Sequence, residues 1–292
     1  MIDAVAYAIP AFVLLVIVEA LSFRLKPHHE QRGYELKDAA TSMTMGAGSQ
    51  VVGFFWKFAV VVVYAGVYTL TPFELDPTNL WTWVLLFFAD DLAYYWFHRC
   101  HHRIRLLWAS HVVHHSSQYF NLTTALRQSW TPMGGMPFWL PLVLMGMPPW
   151  MIFLQQSINL TYQFFIHTER VRYLPGPLEF WFNTPSHHRV HHGSDEIYLD
   201  RNYGGILIIW DRIFGSFAAE TAPVTYGLTQ NIRTYNPLRV AFHEYAAIWR
   251  DVRASRTWRD RLGYLFGPPG WGKDLTGPDA QVTPEKNAKE PT

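Results

Sequence analysis

The sequence is poor in the residues that build most redox and hydrolytic sites. Its single cysteine, Cys100, in 292 residues excludes an internal disulfide framework and any cysteine-based zinc finger. No G-x-G-x-x-G follows a strand pattern, so no dinucleotide or flavin fingerprint is present. Neither a G-x-S-x-G turn nor a nucleophilic Cys/His arrangement is found. Charge is scarce as well: Asp, Glu, Lys and Arg make up 16% of the chain, below the usual quarter. With 24 basic against 23 acidic residues the net charge is +1, which gives a nucleic-acid partner no electrostatic basis. No internal repeat recurs at a fixed period.

What the chain has instead is aromatic and apolar. It holds 13 Trp, 15 Tyr and 20 Phe, a composition that suits a surface lying largely in lipid with Trp and Tyr at the interfaces. A first apolar run from about Ala4 to Phe23, broken by Glu19, is long enough to span a bilayer. The start Met1-Ile2-Asp3 is acidic and no small-residue cleavage site follows, so the run reads as a retained span rather than a signal peptide. Arg24, Lys26, Arg32 and Lys37 come next and assign that side to the cytosol. A second span is expected over about Gly48–Leu70, with Lys57 inside it, and a third over Trp81 to about Phe97. The loop between them holds Glu74 and Asp76 and no basic residue, which fits the outside. Met136–Ile166 is apolar but carries Pro137, Pro141, Pro148 and Pro149, which predicts a hairpin that enters and leaves on one side. The fold expected is an all-α integral membrane bundle of four to five membrane segments under a histidine-rich helical cap. Residues 1–272 form one domain, with the histidine region at about 91–217, and 273–292 a disordered polar tail.

Ten of the 14 histidines fall into tight groups. His98, His101 and His102 follow the third span; His111, His114 and His115 come next; His187, His188, His191 and His192 form the last group; His167 ends the hairpin. Residues i, i+3 and i+4 share one face of a helix. Each group therefore points two to four imidazoles at one place. So many imidazoles exceed the needs of one ion, and two metal ions are the natural count. Imidazole suits zinc, copper, iron and nickel. Structural zinc sites are closed, four-coordinate and usually contain cysteine, so a reactive centre is favoured. His101 points off the His98–His102 face, and His28, His29 and His243 read as ordinary surface or packing residues.

Asp90 and Asp91 lie late in the third span, where a carboxylate is expensive without a partner. Asp91 is two turns before His98 and is expected to accept the free N–H of a ligating imidazole. Tyr94, Tyr95, Trp96, Phe97 and Trp108 either line a lipid channel or form an interfacial belt. Arg127 and Gln128 either hold a headgroup or pterin or sit in a solvated loop. Asn202, Asp211 and Arg212 read as a packing element and Cys100 as packing.

The strings Asp91-Leu-Ala-Tyr-Tyr-Trp-Phe-His98, His111–His115 and Asn183-Thr-Pro-Ser-His-His-Arg-Val-His-His-Gly193 resemble the sterol desaturase / fatty acid hydroxylase superfamily. Asn121–Ser129, Tyr162–Glu169, Asn202–Gly215 and Gly267–Gly272 extend the resemblance, within it, towards the branch that cleaves alkylglycerol ethers. Arg103 follows His102 where the family's first box ends in His-Glu. The resemblance implies a non-haem centre of two Fe ions, with zinc substituting on purification, and O₂-dependent oxidation of a membrane lipid. It implies ligands among His98, His102, His111, His114, His115, His167, His187, His188, His191 and His192, all on the cytosolic face. It further implies an external electron donor, either tetrahydrobiopterin or a separate reductase. Desaturation of a lipid or sterol, or metal holding without catalysis, are the competing readings.

Overall fold

A computed structural model describes residues 4–27 and 31–272. His28, His29 and the expected tail at 273–292 lie outside these residues. Among the described residues the regular structure is all helical, with two isolated antiparallel bridges, Phe182 with Leu207 and Gly193 with Tyr226, and no strand.

Helix α1 (Ala4–Leu25) exposes Leu14, Ile17, Val18 and Leu21 and buries Phe12 and Glu19. Helix α2 (Leu36–Tyr68) begins twelve residues before the expected second span. The Glu35 side chain caps it through Asp38 N–H, and its first turns bury Asp38, Thr41 and Ser42 against protein. The apolar pattern alone could not show this polar extension. These two helices are long and apolar enough to cross a membrane.

Helix α3 (Leu80–Arg103) starts at Asn79, whose side chain accepts Trp81 N–H, and runs straight through the first histidine group. Its buried positions Leu86, Asp90, Tyr94, His98 and His102 recur every four residues on one face. That single stripe passes from aliphatic packing to polar contacts to imidazoles. One extended residue, Ile104, then turns the chain into α4 (Arg105–His115), which packs back on α3. A one-turn helix α5 (Leu122–Ala125) and a 3₁₀ turn (Pro132–Gly134) lead to the hairpin of α6 (Met136–Leu144) and α7 (Pro149–Ile166). The expected break falls at Gly146, whose positive φ of 86° and approach to Phe73 O leave no room for a Cβ. Tyr64, Leu86, Trp139, Val143, Met147, Met151 and Ile152 join α2, α3, α6 and α7 in the main core.

Three short helices follow, α8 (Gly176–Trp181), α9 (Pro185–His191) and α10 (Ile209–Ile213). Last come α11 (Pro237–Ala254), packed on α4 and α2, and α12 (Trp258–Phe266).

Candidate metal centre

The imidazoles converge into two nests. His98, His102, His111, His115 and His191 form one, and His114, His167, His188 and His192 the other; within each, the ligand atoms lie within 4.8 Å of one another. The spacing along α4 explains the division. His111 and His115, one turn apart, face the five-histidine nest while His114 faces the other. Residues 188–192 divide in the same manner, His191 to the first nest and His188 and His192 to the second. Each of these groups thus serves two centres rather than one.

The nitrogen geometry fits metal ligation. His98 Nε2 lies 2.9 Å from His111 Nε2, which is 3.1 Å from His115 Nε2. In the second nest His167 Nε2 is 3.1 Å from His114 Nε2 and 2.9 Å from His188 Nε2. Two nitrogens about 2.1 Å from one ion and at right angles around it would be about 3.0 Å apart. His102 Nε2, His191 Nε2 and His192 Nε2 are buried with no hydrogen-bond partner among the described residues. Such atoms call for one.

Backbone carbonyls set the tautomers. Nδ1–H of His98 donates to Tyr203 O (2.9 Å), that of His191 to Arg201 O (2.9 Å) and that of His167 to Gln163 O (2.6 Å). Each Nε2 lone pair is then left facing its nest. Burial first, and the crowding of imidazoles second, hold His111, His115, His188 and His192 well below the ordinary histidine range, so they are neutral and able to ligate.

Other expected residues fall elsewhere. His187 belongs to neither nest: its Nε2 lies 3.1 Å from Glu179 Oε2, and burial outweighs that carboxylate to bring its pKa down to about 4. It sits about 100° around α9 from His188, on the side facing α8. His101 lies outside both nests and is buried, with Nδ1–H donating to Phe97 O. His243 donates to Val240 O on α11, away from both nests.

Asp91 does not reach an imidazole. Its carboxylate accepts Ile206 N–H (2.7 Å), Leu207 N–H (3.0 Å), Trp210 Nε1–H (3.0 Å) and Asn159 Nδ2–H (3.3 Å). It thereby pins the segment that presents the Tyr203 carbonyl to His98. Gly205 lets this segment approach, since a Cβ there would lie 2.8 Å from Asn159 and 2.9 Å from Asp91. The carboxylate beside a nest imidazole is Asp200, 3.7 Å from His102 Nδ1 and 2.9 Å from Arg103. It occupies a left-handed backbone position (φ 60°), and no spacing rule pointed to it.

Arg127 is neither solvated nor free for a headgroup. It is 1% exposed, pairs with Asp38 at 3.2 Å and also donates to Val113 O and Ser116 Oγ at the end of α4. Gln128 Nε2 donates to Ala125 O. Asn202 donates to His187 O and Ala218 O, Asp211 accepts Tyr203 N–H and Gly204 N–H, and Arg212 donates to Phe180 O, so all three brace the packing. Tyr94 OH donates to Gln163 Oε1 and Tyr95 is buried against Ser216, while the Trp108 ring lies 5.0 Å from that of His102.

Residues 83–216 match the fatty acid hydroxylase family model. The chain is 41% identical over 293 residues to the alkylglycerol monooxygenase of Homo sapiens, covering 99% of this chain and 64% of that protein. It is 41% identical over 294 residues to that of Danio rerio, covering 97% and 64%. Ornithine lipid hydroxylase OlsE of Rhizobium tropici is 25% identical over 236 residues, 73% of this chain and 67% of that one. The chain thus spans 64% of the length of the two vertebrate relatives. No solved structure matches it. Residues 83–216, which contain both histidine nests, are thus similar to the fatty acid hydroxylase family, and the chain over nearly its whole length is similar to part of the alkylglycerol monooxygenases.

Proposed function

We propose that the chain is an O₂-dependent membrane-lipid monooxygenase whose two nests hold a pair of irons, with an alkylglycerol ether as substrate. The observation that carries this reading is the paired nests of five and four neutral imidazoles, with no carboxylate or thiolate among their ligand atoms. A structural zinc needs four ligands, and nine in two adjoining sets exceed that. When bound, the two irons supply the electrons and Lewis acidity that cleave O₂ for attack on an unactivated C–H bond.

The chain's own residues prepare this chemistry. Tyr203, Arg201 and Gln163 carbonyls hold three rings with Nε2 inward. Asp91 and Asp211 fix the segment that carries Tyr203. Burial keeps water from the nests, and Trp108, tilted against His102, and Phe120, stacked on His167, form aromatic walls. Hydroxylating the ether-linked carbon consumes O₂, two electrons and two protons, releases water and leaves a hemiacetal, which breaks into an aldehyde and glycerol. The electrons come from tetrahydrobiopterin or a separate reductase.

In this reading residues 1–272 act as one membrane-embedded unit of four to five segments: α1, α2, α3 and the α6–α7 hairpin. The nests then lie on the cytosolic side, a reading supported by the basic residues Arg24, Lys26, Arg32 and Lys37 after the first span. The likeness to an ornithine lipid hydroxylase supports hydroxylation of another membrane lipid as a second reading.

The test is metal analysis of detergent-purified protein followed by reduction and addition of O₂ with membrane lipids containing alkylglycerols. About two irons per chain and a fatty aldehyde are expected, whereas a lipid that gains one oxygen and stays intact would select the second reading. A loss of two hydrogens would make the protein a desaturase. Stoichiometric zinc without iron-restored turnover would leave it a metal-holding protein.

A further inference from the structure

The α11–α12 hairpin contributes nothing to the nests, yet its two faces differ sharply. The inner face of α11 buries Val240, Ala241 and Ile248, and Val240 and Ala241 pack with Met45 of α2 and Val113 of α4. Glu244 and Asp251 turn inward as well, to Arg105 at 2.7 and 2.6 Å, and the Tyr264 ring of α12 covers the same guanidinium. Two of the hairpin's three acidic groups are thereby neutralised beneath its surface. The third, Asp260, accepts the Thr257 hydroxyl at the start of α12.

The outer face is apolar and cationic. Leu238, Phe242 and Trp249 form one exposed stripe on α11, and Trp258, Leu262 and Phe266 another on α12. Arg239, Arg250, Arg253 and Arg259 are exposed beside them. An exposed stripe of Trp, Phe and Leu flanked by arginines is the pattern of a helix lying in the plane of a membrane surface.

Its depth agrees. The row of exposed apolar side chains on α2 runs from Val51 through Phe54, Phe55, Phe58 and Val62. From Val51 to Tyr68 the helix is about 27 Å long, close to the thickness of a hydrocarbon core of about 30 Å. Met45, where α11 packs, is six residues before Val51, about 9 Å along the axis. The hairpin is therefore held at headgroup depth.

We propose that the outer face of α11 and α12 is a docking surface for an anionic bilayer, the apolar stripes entering the headgroup boundary and the arginines meeting lipid phosphates. Because α11 also packs on α4, this contact fixes the height of His111, His114 and His115 above the membrane. The inference rests on α2 spanning the bilayer, and not on the chemistry at the nests.

The test uses the full chain with Cys100→Ser, carrying a polarity-sensitive fluorophore on Leu262→Cys or Phe242→Cys. Nanodiscs are made of phosphatidylcholine alone or with about 30% phosphatidylglycerol. Both labels are expected to shift to the blue in the anionic discs, to be quenched by doxyl lipids and to lose iodide accessibility several-fold. Arg250→Glu/Arg253→Glu/Arg259→Glu should abolish the dependence on lipid charge without changing metal content. A label on Phe58→Cys reports on α2 separately. If that label escapes doxyl quenching, the membrane reading falls and the inference with it. If it is quenched while both hairpin labels stay open to iodide in either lipid, the inference alone is overturned. Shielding that follows the number of chains per disc, or an added acidic redox protein, rather than lipid charge would also overturn it.

Discussion

Whether a histidine can ligate depends on where its second nitrogen goes, and neighbouring positions differ in this respect. His188 Nε2 lies 2.9 Å from His167 Nε2 inside a nest, while His187 Nε2 meets Glu179. His188→Ala should therefore empty the four-histidine nest and lower bound metal from about two to about one per chain, whereas His187→Ala should keep both ions. Elemental analysis of the purified variants decides it, and equal losses would return His187 to the ligand set. Asp200 offers a second test at this scale. Its carboxylate stands by His102 Nδ1, and outer partners of this kind are worth about 10–100-fold in metal affinity. Asp200→Asn should show that weakening in a chelator competition, with thermal stability little changed because the side chain is 41% exposed.

At the scale of elements, α3 and the segment before α10 are joined through Asp91. Asp91→Ala would strand four donors, the amides of Ile206 and Leu207 and the side chains of Trp210 and Asn159. Stranded buried donors cost about 1–3 kcal/mol each, so a loss of about 3–5 kcal/mol overall is expected once some find water. The melting temperature should fall together with metal content, since the Tyr203 carbonyl would no longer be held against His98. A variant that kept both and lost only turnover would instead make Asp91 a participant in the chemistry. This clamp also shows what the sequence could reveal. The nests were legible because α3, α4 and α9 repeat their ligands at three- and four-residue spacing, which local helix geometry turns into a shared face. The α6–α7 hairpin and the long apolar helix α1 were legible from prolines and apolar length. The roles of Asp91, Asp200 and Arg127 were not, because their partners are 97 to 119 residues away for Asp91 with Trp210 and Arg103 with Asp200, and 89 for Arg127 with Asp38. Nor was the polar start of α2, where Asp38 and Ser42 are buried by contacts to residues near 117 and 127.

Over the whole molecule, the nests draw ligands from α3, α4, the end of α7 and α9, so bound metal ties together elements far apart in sequence. An ion held by a nest would bind the folded chain and find no assembled site in an unfolded one, which would make its binding free energy a contribution to folding. At a free-metal concentration 100 times Kd, one site contributes about 2.7 kcal/mol, and two sites about 5 kcal/mol. A chain of this size shifts its melting temperature by about 2–4 °C per kcal/mol, so chelation should lower it by about 10–20 °C. His114→Ala, which disables the second nest alone, should begin from a lower melting temperature and lose only about half of that shift on chelation. Differential scanning fluorimetry in detergent, before and after chelation and again after iron is restored, measures each quantity. The shared helix α4 adds a further expectation: with His111, His114 and His115 on eleven residues, emptying one nest loosens the helix that serves the other, so the remaining ion should also bind more weakly than in the intact protein. If chelation removed metal and left the melting temperature unchanged, the imidazoles would be held by the protein fold alone, and the nests would be preformed cavities rather than joints of the structure.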